Sequence, residues 1–221
     1  MPNSLQPNTR LGAIVLCGGK STRLGIDKTQ LIFQGQTFLE RVVSQVQKVC
    51  HPVILVGDAD FSQHQLPPNV QWATDENADC GPLEGIRVGL AKLDSQVDMA
   101  FVTSCDVPLI DPELIRFLSH RISDRDAVIP ISGERVFGMT AVYRTKLHEM
   151  IHERIQNGQL RVSELATAFP SHQIHVDSLR EIDPELDSMT NINSAVDYFN
   201  LLKRFGLELS PELQNRFKNR N

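Results

Sequence analysis

Three cations stand close together in a stretch rich in small residues: Lys20, Arg23 and Lys28, threaded among Gly18, Gly19 and Gly25. Glycine lets backbone N–H groups approach a phosphate chain, and basic side chains then close over it. The apolar run Leu11 to Cys17 leads straight into this loop. In open α/β sheets, the crevice beyond the carboxyl end of such a strand is where anionic ligands sit. The spacing is not that of a Walker A loop, because no Gly-Lys-Ser/Thr follows four residues after a first glycine, nor that of a dinucleotide fingerprint. Phosphate chemistry also needs a carboxylate that can hold a metal. Asp106 stands at the tip of the apolar run Met99 to Thr103. Magnesium takes one or two carboxylates and fills its other positions with water and phosphate oxygens. Asp111, followed by Pro112 and Glu113, already serves as the cap of the next helix, which leaves Asp106 for a cation.

The elements that must position these residues can be read from periodicity. Leu11 to Cys17 is a strand apolar on both faces, and Thr37 with Glu40 forms a capping box ahead of a helix reaching about Lys48. Pro52 to Val56 and Val70 to Thr74 read as strands. Pro82 opens a helix with Leu83, Ile86, Leu90 and Leu93 on its apolar face. After the strand Met99 to Thr103, a helix runs from Asp111 to about Ile122. Ala127 to Ile131 and Met139 to Tyr143 read as strands around the turn Ser132-Gly133, followed by a helix from about Lys146 to Asn157-Gly158. Gln173 to Val176 is a further strand, and Ser194 with Asp197 opens a last helix. Strands alternating with helices call for an α/β fold with a mostly parallel sheet, an antiparallel addition and helices on both faces. Residues 1–10 are expected to be a disordered tail, 11–205 a single domain and 206–221 a C-terminal tail.

Composition narrows the partners. A net charge of −5 offers no broad positive field for nucleic acid or an acidic membrane, and no apolar run of 18 or more residues suggests a membrane span. The four cysteines are dispersed, which fits reduced thiols and a cytoplasmic location. One motif points elsewhere. His148-Glu149-Met150-Ile151-His152 satisfies H-E-x-x-H, a zinc protease pattern. No glycine-and-histidine continuation follows it, and a third ligand would have to come from His172, His175 or an unplaced acid.

The run Leu16-Cys17-Gly18-Gly19-Lys20-Ser21-Thr22-Arg23-Leu24-Gly25-Ile26-Asp27-Lys28 resembles the signature of the molybdenum cofactor guanylyltransferases, the MobA family, with Leu24 where methionine is usual. Further blocks resemble the family in the same order: Asp75 with Gly81-Pro82-Leu83-Glu84-Gly85, Cys105-Asp106-Val107-Pro108, Ala141-Val142-Tyr143-Arg144 and Asn191-Ile192-Asn193. The resemblance spans residues 11 to 200. It implies a three-layer Rossmann-like nucleotidyltransferase fold and transfer of GMP from magnesium GTP to the terminal phosphate of molybdopterin, with release of pyrophosphate. It also implies roles. Lys28, Arg23 and Asp106 would be catalytic, and Asp106 with Asn193 would hold Mg2+. Leu16, Cys17, Gly18, Gly19, Lys28, Asp75, Gly81, Pro82, Leu83 and Asp106 would bind the nucleotide, while Asn191 and Asn193 would meet the acceptor. The implied partners are GTP and molybdopterin, with proteins that deliver the cofactor or receive the product as further candidates. Val56-Gly57-Asp58 stands where the family has an asparagine after the second strand. Molybdenum cofactor cytidylyltransferases and sugar-phosphate nucleotidyltransferases share the loop and the aspartate. Gly19 favours the guanylyl reading, since cytidylyl relatives resemble Leu-Ala-Ala-Gly there.

Overall fold

The structure is a computed structural model that describes residues 10–18, 27–58, 61–77 and 80–209. Both expected tails lie largely outside these residues. In chain order, β1 (Leu11–Leu16) leads to a short antiparallel pair, β2 (Ile32–Phe33) and β3 (Gln36–Thr37), and then to α1 (Phe38–Val46). Next come β4 (Val53–Val56), β5 (Val70–Ala73), α2 (Pro82–Leu93), β6 (Met99–Ser104) and α3 (Pro112–Ser119). The second half holds β7 (Ala127–Ser132), β8 (Arg135–Val136), β9 (Ala141–Arg144), α4 (Leu147–Gln156), α5 (Leu165–Ala168), β10 (Ser171–His175) and α6 (Ala195–Arg204).

One sheet follows the order β10-β7-β9-β6-β1-β4-β5, with β8 paired to β7. β1 lies parallel to both β4 and β6, and β5 is parallel to β4. The carboxyl ends of these four strands therefore point the same way, and one edge of the sheet gathers Cys17, Gly57, Asp75 and Asp106. In this sheet, among the described residues, only β8 and β9 run antiparallel to their neighbours. Helices cover both faces because the strands are apolar on both. Ala13, Val15, Val53 and Leu55 pack with Leu39, Val42 and Val46 of α1 and Leu114 and Leu118 of α3. The alternate residues Ile14, Leu16, Ile54 and Val56 pack with Leu83, Ile86 and Leu90 of α2 and Leu147 and Ile151 of α4. This is the three-layer arrangement expected from the sequence.

Two local features differ from the expectation. The turn at Ser132-Gly133 returns into β8, not into Met139 to Tyr143. Gly133 sits at φ 56°, and a tight turn pairs the residues that follow it directly. The later strand starts at Ala141 and inserts between β6 and β7, meeting β7 only at Ala127 and Val128. Pro130, two residues on, has no N–H to give to a ladder. The β2–β3 hairpin was not legible either. Its turn, Gln34-Gly35, has φ 51° and 81°, the geometry of a tight hairpin, but two-residue strands leave no period to read.

That hairpin matters for the site. Leu31, Phe33 and Phe38 form a separate buried cluster with Ile192, Tyr198, Leu201 and Leu202. The Tyr198 hydroxyl donates to the Ile32 carbonyl at 2.6 Å. The segment carrying Lys28 is thereby fastened to α6, whose approach carries Asn193.

Candidate active site

Lys28 begins a short 3-10 turn, Lys28–Gln30, capped by Asp27, whose carboxylate accepts from the Thr29 N–H at 2.9 Å. Its ammonium donates to Asp106 Oδ2 at 2.8 Å and to Asn193 Oδ1 at 2.6 Å. Asp106 is buried, directly after β6. Its other oxygen, Oδ1, accepts from Asn191 Nδ2 at 2.9 Å and from the Ser104 hydroxyl. The Ile192 N–H donates to the Asp106 carbonyl at 2.8 Å, which fixes Asn191 and Asn193 on either side of the carboxylate. One oxygen is thus used to hold the group in place, and the other faces a cation.

The donor set suits a hard divalent ion of the magnesium kind. Asp106 Oδ2 and Asn193 Oδ1 converge on a single cation position, which Lys28 Nζ takes in this structure. Such an ion needs few protein ligands, because phosphate oxygens and water complete its shell.

A second arrangement borders the edge. Glu84, in the first turn of α2, is fully buried, and its carboxylate accepts from Arg87 Nε at 2.7 Å, Arg87 Nη2 at 2.9 Å and Asn77 Nδ2 at 2.8 Å. Arg87 also reaches Glu76 at 2.5 Å. The network ties the segment after β5, where Asp75 lies, to the start of α2. Partial desolvation against the sheet edge raises the Asp75 carboxyl, and the charges of Asp58 and Glu84 push it the same way. Gly57 closes the gap to the loop after β1. Its φ is 153°, and a Cβ there would meet the Cys17 carbonyl carbon at 2.9 Å, so only glycine fits.

The structure brings together Lys28, Asp106, Asn191 and Asn193 in one hydrogen-bonded group. Leu16, Cys17 and Gly18 end β1 beside it, because Cys105 N–H donates to the Leu16 carbonyl across the β1–β6 ladder. Gly81, Pro82 and Leu83 open α2 on the same edge, and Asp75 stands exposed beyond β5. Arg23 and Gly19, with Lys20 and Gly25, lie outside the described residues. Asn191, read as an acceptor contact, gives its amide to Asp106. Three participants were not singled out from sequence: Ser104, Asn77 and Arg87. The Glu84–Arg87 spacing of three on a helix was the only signal, and nothing in sequence tells whether such a pair is buried.

The remaining signals do not form a competing site among the described residues. His148 pairs with Asp94 of the neighbouring helix end at 3.7 Å, and His152 is exposed. No group of three or more His, Cys, Asp or Glu side chains there could hold a metal, so the zinc protease pattern lacks a third ligand. Burial, followed by the adjacent Cys105 thiol, pushes the Cys17 thiol well above its ordinary value, which suppresses its nucleophilicity.

A mostly parallel sheet whose carboxyl edge gathers Lys28, the buried Asp106 and Asn193 defines the chain as a Rossmann-like nucleotidyltransferase. The comparisons agree. The profile of the MobA-like NTP transferase domain matches residues 13–169. A probable molybdenum cofactor guanylyltransferase of Methanosarcina mazei is 35% identical over 203 residues, covering 86% of this chain and 89% of that one. The molybdenum cofactor guanylyltransferase of Desulfosudis oleivorans is 30% identical over 183 residues, covering 82% of this chain and 89% of that protein. The crystal structure of molybdopterin-guanine dinucleotide biosynthesis protein A from Archaeoglobus fulgidus has the same fold, with a TM-score of 0.73 at 21% identity, over 90% of this chain and 99% of that one. The chain belongs to the MobA-like NTP transferase family.

Proposed function

We propose that the protein transfers GMP from GTP to the terminal phosphate of molybdopterin, releasing pyrophosphate and forming the guanine dinucleotide cofactor. The observation that carries the reading is the meeting of Lys28, Asp106 and Asn193 on one edge of the sheet, with the Lys28 ammonium 2.8 Å from Asp106 Oδ2 and 2.6 Å from Asn193 Oδ1. The relatives named molybdenum cofactor guanylyltransferase, similar over most of their length, support the choice of base and acceptor.

No protein nucleophile is required. The acceptor phosphate is already an anion. One of its oxygens attacks the α-phosphorus of GTP, the bond between the α-phosphorus and the bridging oxygen to the β-phosphate breaks, and pyrophosphate leaves with that oxygen. Lys28 supplies an ammonium where negative charge accumulates, and a cation in a partly buried site is worth far more than one in water. Ser104 and Asn191 keep the Asp106 carboxylate aimed. Mg2+, held by Asp106 and Asn193, would neutralise charge on the phosphate oxygens. The segment from Asp75 to Asn77, braced by Glu84 and Arg87, and the opening of α2 would receive the nucleoside. The work is done in the cytoplasm, where GTP is available, and the proteins that deliver the acceptor or receive the product would meet this same edge. Among the described residues, no helix is long and apolar enough to cross a membrane.

The test is incubation with magnesium, molybdopterin and each of the four nucleoside triphosphates, measuring pyrophosphate and the mass of the product. GTP alone should give the dinucleotide. Product from CTP alone would assign the chain to cytidylyl transfer, and none from any nucleotide would remove the reading.

A further inference from the structure

Lys28 is where a divalent ion should be. Its ammonium lies 2.8 Å from Asp106 Oδ2 and 2.6 Å from Asn193 Oδ1, and those two oxygens are the ones the site offers to a metal. The orientation of both partners follows from chemistry. An ammonium only donates, so the Asn193 amide must turn its oxygen inward. Asp106 Oδ1 is already engaged by Ser104 and Asn191, so the face it offers a cation is Oδ2. Two cations cannot share this position. An ion at the 2.0–2.1 Å typical of magnesium–oxygen bonds would lie against Nζ, with strong repulsion in a site where the Lys28 and Asp106 side chains are only 20% and 12% exposed.

We propose that Lys28 is the resident cation of the metal position, and that a divalent ion takes this position only when a triphosphate draws the ammonium away. The inference rests on the nucleotidyl-transfer reading, which supplies the triphosphate. The exchange needs no backbone movement. The Lys28 backbone is held by the Asp27 cap, while its four-carbon stem lets Nζ swing from the carboxylate to phosphate oxygens. The Asn193 backbone is held independently, because its N–H donates to Asp197 at 3.0 Å beside the capping box of α6, and so the residue stays at the site when the ammonium leaves. The lysine keeps the buried Asp106 carboxylate paired between turnovers, avoiding the penalty of an unpaired buried charge. Metal and nucleotide then each favour the other's binding, as linkage requires.

The experiment is titration of the nucleotide-free protein with Mn2+, following the free-ion signal by electron paramagnetic resonance. Wild type is compared with Lys28→Met and Lys28→Gln, two neutral replacements of similar length. Both variants should bind Mn2+ about tenfold or more tightly than wild type, a coupling within the usual range between interacting sites. Adding Asn193→Ala to Lys28→Met should cancel most of the gain, because the ion then loses one of its two protein oxygens. Equal affinity in wild type and both variants overturns the exchange, and so does a gain that survives Asn193→Ala, since removal of a nearby positive charge would suffice to explain it. The same preparations are assayed for pyrophosphate release. A wild type that turns over yet binds Mn2+ as tightly as the variants removes the exchange and leaves the transfer reading standing. A wild type that is inactive with every nucleotide, while the variants gain affinity, does the reverse.

Discussion

At the residue scale, the site separates holding a charge from using it. Ser104 and Asn191 occupy one oxygen of Asp106, and the other is left to a cation. Removing the holder and removing the user should therefore differ. Lys28→Ala deletes a contact that strengthens as charge develops, so kcat should fall by about a hundredfold or more while KM for GTP rises far less. Steady-state kinetics of pyrophosphate release check this, and an unchanged kcat would reject the role. Asp106→Ala should keep GTP binding in weakened form and lose pyrophosphate release; equal turnover in wild type and variant would take Asp106 out of the mechanism. Lys28, Asp106 and Asn193 were legible in sequence because each sits in a short block with its own local pattern. Ser104 was not, because it reads as the first residue of a plain loop until the chain turns Asp106 back toward its hydroxyl. The bond from the Asn191 amide to Asp106 was not legible for a similar reason, since its amide direction is set by the long-range bond between Ile192 and Asp106.

At the element scale, the edge is assembled by close approach of α2 to β1. Gly89 faces Ile14, and a Cβ at Gly89 would lie 2.7 Å from Ile14 Cγ1 and Cγ2, branch atoms that cannot swing aside. Gly89→Ala should therefore destabilise the fold by about 1–3 kcal/mol despite the better helix propensity of alanine. Thermal denaturation measures it, and Gly89→Ala combined with Ile14→Ala should cost less than the sum of the two single losses. Full stability in Gly89→Ala would mean that α2 is free to ride outward. Long elements such as β1, β6 and α1 were legible because their apolar periods run for several residues, and α1 because Thr37 and Glu40 form a complete capping box. The hairpin β2–β3 and the strand β8 were not, because pairs of residues have no period and owe their geometry to turns. Insertion of β9 between β6 and β7 was also beyond reach, since it depends on which neighbour a strand finds in space.

At the scale of the whole molecule, the sheet and its two apolar layers do not titrate, whereas the ligand edge is fastened by carboxylates. Glu40 accepts from the Gln65 N–H at 2.7 Å, Glu84 from the Asn77 N–H at 3.2 Å and Asp197 from the Asn193 N–H at 3.0 Å. Each joins the first turn of a helix to a loop. Burial alone would raise all three carboxyls. It is outweighed at Glu40 by hydrogen bonds from Thr37 and Gln65, at Glu84 by Arg87 and Asn77, and at Asp197 by Ser194, Asn193 and the charge of Lys28, so all three lie below their ordinary values. A carboxyl whose folded value is depressed contributes stability above its unfolded value, about 4, and loses it as pH falls through the lower folded value. Acidification below about pH 4 should then loosen the ligand edge before the sheet. The expected outcome is loss of hydrogen-exchange protection at Gln65, Asn77 and Asn193, after correction for intrinsic rates, while the far-UV circular dichroism of the sheet and helices persists. GTP binding should fall with the first signal and not the second. If all three amides keep their protection until the far-UV signal itself collapses, the edge is not held by these carboxylates, and the apolar layers alone carry the geometry of the site.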